Sequence, residues 1–238
     1  MSTKAIQKDF EQLKEFVTGY ELPKEDNVEY FQNLKRTHKV YFSVLELHSV
    51  CKSLEPLKSN STSTFGKYLG ESISELGSSL FISLHGCYKG SDQILRSAIE
   101  NFLKAIGSTV HPNIVSIKST YEVIDKAEDA DVFQTKEIKD KYSKLKGMYS
   151  TLCASVHTAT ELNMQNVGAL GYFPHFDSKS STLFMKNYIE VARAILDILC
   201  WKYKLEYPQV HYKSKDIIDV SLSGNIKAII YSGELSTA

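Results

Sequence analysis

The chain has 238 residues, 42% apolar and 24% charged, a balance ordinary for a folded protein and long enough for one large domain or two small ones. Its 28 Lys and Arg equal its 28 Asp and Glu; no net field draws the whole molecule to nucleic acid or anionic lipid, and such binding has to come from a local patch. Four cysteines, Cys51, Cys87, Cys153 and Cys200, stand far apart in apolar surroundings, which argues for reduced core thiols rather than the disulfide framework of a small secreted chain.

Helical periodicity dominates from the start. Ile6, Phe10, Leu13 and Phe16/Val17 repeat at three and four and predict a first helix. This N-terminus is charged and amphipathic and lacks the apolar run of a signal peptide. "ELPKEDN" breaks the pattern at Pro23 and Asn27. A long second helix is predicted from about Val28 to Leu57, through Phe31, Leu34, Tyr41, Val44, Leu45 and His48. "KSNSTST", Lys58 to Thr64, is small and polar and reads as a linker. A third helix follows from about Phe65 to Tyr88, closed by "GCYKGSD", and a fourth from Asp92 to Ile106. Pro112–Lys126 and Thr135–Leu162 read as further helices. "NVGALGYFPHFDSKSS" reads as a loop rich in aromatics, and Thr182–Lys204 as a helix apolar nearly all round, the pattern of a central bundle helix. In the tail, "AIIYS" fits either a strand or a short buried helix. The fold expected is all-α: residues 1–58 a helical pair or arm, and residues 65–238 a helical bundle. The most apolar span, "YIEVARAILDILCWKY", is shorter than the ~20 apolar residues a membrane span needs and carries Glu190, Arg193 and Asp197. A cytoplasmic protein with no membrane partner is expected.

Only Arg36, Arg96 and Arg193 are arginines. On the fourth helix, Leu95, Ala98, Ile99, Phe102, Leu103 and Ile106 fill one side, and Arg96 stands at its border with Glu100 one turn on. The two can form an i,i+4 ion pair, in the less favoured order, or Arg96 can reach a cleft. His157 lies at the edge of a second stripe, Tyr142, Leu145, Tyr149, Leu152, Cys153 and Val156. It suits either proton transfer or a hydrogen bond inside the bundle. His48/Cys51, His85/Cys87 and Cys153/His157 are close in sequence, but no paired zinc spacing is present, so no metal and no cofactor is expected. "KEIKDKYSKLK", Lys136 to Lys146, reads as a solvated lysine face or as a stripe for RNA phosphates. Glu190, Arg193 and Asp197 predict an internal ion network on the central helix.

Two stretches together resemble a known family. "GCYKGSDQILRSAIENFL" gives a helix end at Gly86–Tyr88, then Leu95, Arg96, Ser97 and Glu100; "YSTLCASVH" gives an aromatic, a leucine and a terminal histidine at helical spacing. Over roughly residues 70 to 205 the chain resembles the HEPN superfamily of helical-bundle proteins, in particular divergent members of prokaryotic toxin–antitoxin and phage-defence systems. The resemblance implies a four- or five-helix bundle, often a homodimer. In many members the interface forms a metal-independent RNase site, where arginine and histidine promote attack of the RNA 2′-hydroxyl on the adjacent phosphate. The family motif has four to six residues between arginine and histidine, and here Leu152, Thr151 and Ser150 hold those places. Only His157 carries over directly; Arg96 and Glu100 correspond to a polar pair on an earlier helix.

The function expected is partner or nucleic-acid binding in an anti-phage defence or toxin–antitoxin system, with a protein partner and with RNA as a second class of ligand. An active endoribonuclease using His157, Arg96 and Glu100 is the alternative. A helical adaptor docking through the aromatic loop Tyr172–Phe176 is another.

Overall fold

The structure, a computed structural model, describes residues 27–53, 63–156 and 175–232. The first predicted helix, most of the serine linker, His157 and the greater part of the aromatic loop lie outside the described residues. Within those residues every regular element is helical: α1 (Val28–Ser53), α2 (Thr64–Leu84), α3 (Tyr88–Gly107), α4 (Thr120–Ala127), α5 (Asp131–Gln134), α6 (Lys136–Val156), α7 (Ser178–Lys202), α8 (Tyr212–Asp219) and α9 (Gly224–Ser232). Single 3-10 turns follow α3 and α7, at Ile114–Ser116 and Tyr207–Gln209. No described helix is long and apolar enough to cross a membrane.

Side-chain caps set several of the starts. Asn27 Oδ1 accepts from the Tyr30 amide at 3.2 Å, Ser63 Oγ from Gly66 at 3.2 Å, and Asp177 Oδ1 from Ser180 at 2.7 Å. Each satisfies one of the amides that a helix N-terminus leaves without an intrahelical partner. The turn between α2 and α3 depends on Gly86, at φ +74. A side chain there would also run into the backbone of His175, so glycine is required by conformation and by space. The Tyr88 hydroxyl beside it accepts from the Asp177 amide at 3.2 Å, pinning the entry of α7 to the start of α3.

α7 is the axis of the core. From Val191 to Trp201 all but Arg193 are buried. α1 lays Val40, Val44 and Leu47 toward it; α3 brings Leu95, Ile99, Phe102 and Leu103; α6 brings Tyr142, Leu145 and Leu152. α2 and α3 form a close pair with small residues at the seam: Ser72 Oγ donates to the Ala98 carbonyl at 2.7 Å and Ser79 Oγ to that of Ser91 at 2.8 Å. These bonds satisfy hydroxyls that burial would otherwise penalise.

The structure departs from the expectations in specific places. α7 begins at Ser178, four residues early, because Asp177 caps it. α3 begins at Tyr88 rather than Asp92. The helix expected over 112–126 is divided into the turn Ile114–Ser116 and the shorter α4, which Ser119 caps through the Glu122 amide at 3.4 Å. "AIIYS", which the sequence left open between strand and helix, belongs to the helix α9. The tail is anchored by Asp219, which takes the Tyr207 hydroxyl at 2.6 Å, the Tyr231 hydroxyl at 2.8 Å and Lys227 at 3.1 Å. The trio Glu190, Arg193 and Asp197 is not one network. Arg193 faces solvent, Glu190 pairs with Lys144 at 3.5 Å, and Asp197 turns inward to Lys141 at 2.7 Å. Seven residues, close to two turns, keep Glu190 and Asp197 on the same side of α7 but at different levels, so each acid takes the α6 lysine at its own level.

Candidate functional site

The candidate site lies where α3 meets α6. Arg96 leaves the polar border of α3 and reaches across, its Nη1 donating to the Tyr149 hydroxyl at 3.3 Å and to Cys153 Sγ at 3.6 Å. The guanidinium also stands 5.6 Å from the Tyr149 ring centre. Its hydrogen bond to Cys153, working against burial, holds the guanidinium above its ordinary value, so it stays charged. Burial pushes the Tyr149 phenol up to about 12, which keeps its hydroxyl protonated near neutral pH. Nε of Arg96 is buried and has no hydrogen-bond partner among the described residues.

Glu100 is not joined to Arg96 in an ion pair. It takes Lys104 at 2.7 Å and the Thr120 hydroxyl at 3.3 Å. Glu before Lys at i,i+4 is the favoured order on a helix, Arg before Glu the weaker one, so Lys104 wins the carboxylate. The result is a guanidinium held by a phenol and a thiol, with no carboxylate partner among the described residues. Tyr121, 61% exposed at the mouth of this seam, stands edge-on to Tyr149 with ring centres 6.0 Å apart. Arg96 and the α6 stripe are thus brought together. His157 follows Cys153 by four residues in sequence and lies outside the described residues. Tyr149 and Cys153 were legible only as stripe residues; the signal for more was their i,i+4 spacing, continued by His157.

The lysine-rich stretch of α6 is divided. Lys141 is paired with Asp197, Lys144 with Glu190, and Lys146 with Asp125 at 2.7 Å. Three of the five cations therefore have carboxylates, which weakens an RNA stripe there, while Lys144 and Lys146 remain about half exposed, as a solvated face requires. Among the described residues no three His, Cys, Asp or Glu side chains cluster to hold a metal. Burial, then Lys52, pushes His48 down to about 4, and burial, then Glu206, pushes its neighbour Cys51 up to about 12. Of the aromatic loop, Phe176 is described; its ring packs edge-on against Tyr30 at 5.1 Å, while Tyr172 and Phe173 lie outside the described residues.

No family model matches this sequence, and comparison with curated proteins and with solved structures returns no match.

Proposed function

We propose that this chain is a HEPN-like helical protein that binds RNA without cleaving it, through Arg96 at the α3–α6 seam, as part of a prokaryotic anti-phage defence or toxin–antitoxin system with a protein partner. The observation that carries the reading is the Arg96 guanidinium: charged, half-buried, and paired with no carboxylate among the described residues. A phosphodiester supplies the missing negative charge and accepts from a planar donor fork. Glu100 is committed to Lys104 and Thr120, which argues against its use as a general base.

The second reading, a metal-independent endoribonuclease, draws support from one contact: Arg96 touches Cys153, four residues before His157. Arginine would neutralise the developing phosphorane charge and histidine would move the proton. Incubation of the purified protein with total RNA separates the two. The expected result is retention of RNA without new cleavage products, with Arg96→Gln binding about ten- to a hundredfold more weakly, the value of hydrogen bonds to a charged group. Cleavage that disappears in His157→Ala would overturn the binding reading and establish the nuclease.

A further inference from the structure

A second surface, on a helix outside the candidate site, has an unbalanced charge. The sixteen residues from Tyr30 to Leu45 hold Lys35, Arg36 and Lys39, together with His38, and contain no Asp or Glu, in a chain whose charges cancel overall. All four of these side chains are exposed. Among the described residues none of the three cations makes an ion pair, whereas Lys104, Lys126, Lys141, Lys144, Lys146 and Lys227 each have a carboxylate within 4 Å. Lys35 and Lys39 share their face with two large aromatics, while Arg36 stands about 100° round the helix from Lys35. Phe31, Lys35, His38, Lys39 and Phe42 recur at three- and four-residue steps, on the side of α1 opposite the buried Val40, Val44 and Leu47. Phe31 is 37% exposed and Phe42 45%. His38 lies stacked on Phe42, ring centres 6.0 Å apart and planes 15° from parallel.

We infer that this face of α1 binds single-stranded nucleic acid, with Lys35 and Lys39 on successive phosphates and Phe31 and Phe42 offering rings to unpaired bases. The face runs about 17 Å along the helix from Phe31 to Phe42, at ~1.5 Å per residue. Cations spaced along a groove or ridge, alternating with aromatic rings, are the physical requirement for a flexible polyanion with exposed π-faces. A duplex hides its base faces and uses only the cations. An anionic membrane surface calls for a continuous apolar stripe with cations to its sides; here Lys35 and Lys39 stand between the two phenylalanines on the same face. The α1 surface contains none of the Arg96 site residues, so the two contribute separately.

The test is a salt titration of binding to a labelled oligouridine of about 15 nucleotides, within the span a single module covers. The variant Lys35→Gln/Arg36→Gln/Lys39→Gln is expected to reduce the slope of log K against log salt by about 1.4, since each phosphate contact on a single strand contributes about 0.7 and Arg36 stands off the face. Phe42→Ala is expected to weaken binding roughly 5- to 100-fold, the range for loss of one stacked base. A triple variant with the wild-type slope overturns the inference, as does absence of wild-type binding at low salt. Vesicles of phosphatidylserine and phosphatidylcholine form the control arm: capture of the wild type by vesicles, lost in the triple variant, with no oligouridine binding, overturns it in favour of a lipid surface. Arg96→Gln keeps the two surfaces apart. Affinity lost in Arg96→Gln and unchanged in the triple variant removes the α1 face and leaves the Arg96 reading standing; the reverse pattern does the opposite.

Discussion

At Glu75 the balance between burial and hydrogen bonding can be read in one side chain. It sits half-buried between α2 and α3, accepting from Ser97 Oγ at 2.5 Å and Asn101 Nδ2 at 2.8 Å. Burial raises its pKa more than those two donors lower it, and Glu71 and Glu100 add to the rise. The sign follows from linkage. A carboxyl whose folded pKa is raised contributes stability that is complete below its unfolded value, about 4.3, and lost as pH climbs through the folded value. Near neutral pH the ionised Glu75 therefore costs stability. Glu75→Gln, which retains an acceptor for either donor, is expected to equal or exceed the wild type in urea midpoint at pH 7. That advantage is expected to shrink as the pH falls toward the carboxylate range; an advantage growing on acidification would contradict it. Nothing local in the sequence distinguishes Glu75 from an exposed glutamate, because its burial depends on how α3 lies against α2.

Between elements, the contrast is sharpest on α6, where two lysines three residues apart do different things. Lys144 and Glu190 are 49% and 31% exposed and meet at 3.5 Å; a pair this wet is worth about 0–1 kcal/mol. Lys141 meets Asp197, whose side chain is fully buried, at 2.7 Å. Asp197 also accepts from the Ser223 amide at 2.9 Å and its hydroxyl at 2.5 Å. Removing one partner of a buried pair leaves a charge without compensation and costs 3–5 kcal/mol as a rule. Lys141→Met is expected near the lower end, about 3 kcal/mol, because Ser223 still donates two bonds, while Lys144→Met stays within about 1 kcal/mol. Chemical unfolding of the two variants checks the ordering, and equal effects would refute it. The sequence showed both lysines in one run and both acids on one helix. Helical spacing told which residues share a stripe, and so found Arg96, the α6 stripe and the central helix. It did not tell which stripe residue meets which, as the loss of Glu100 to Lys104 also shows.

For the molecule as a whole, the all-helical reading came from apolar steps of three and four, which are local and strong, and from an α7 apolar on nearly every side. Boundaries slipped where a single capping group decides them, as Asp177 does for α7, or where a turn such as Ile114–Ser116 interrupts a helical pattern. Around α7 the interior is mostly apolar, with hydroxyls as the other buried polar groups, and apolar helix faces can slide or rotate against one another with little change in energy. Asp197 opposes that freedom. With Lys141 and Ser223 it joins α6, α7 and the start of α9 at one fixed level, and a displaced helix would strand a charge in the core. Replacing the three together, Asp197→Leu/Lys141→Met/Ser223→Ala, is therefore expected to leave the unfolding free energy nearly unchanged or higher. The loss falls instead on uniqueness of register: amide hydrogen exchange in α9 is expected to accelerate while the midpoint holds, and unchanged protection of α9 would show that packing alone sets the alignment.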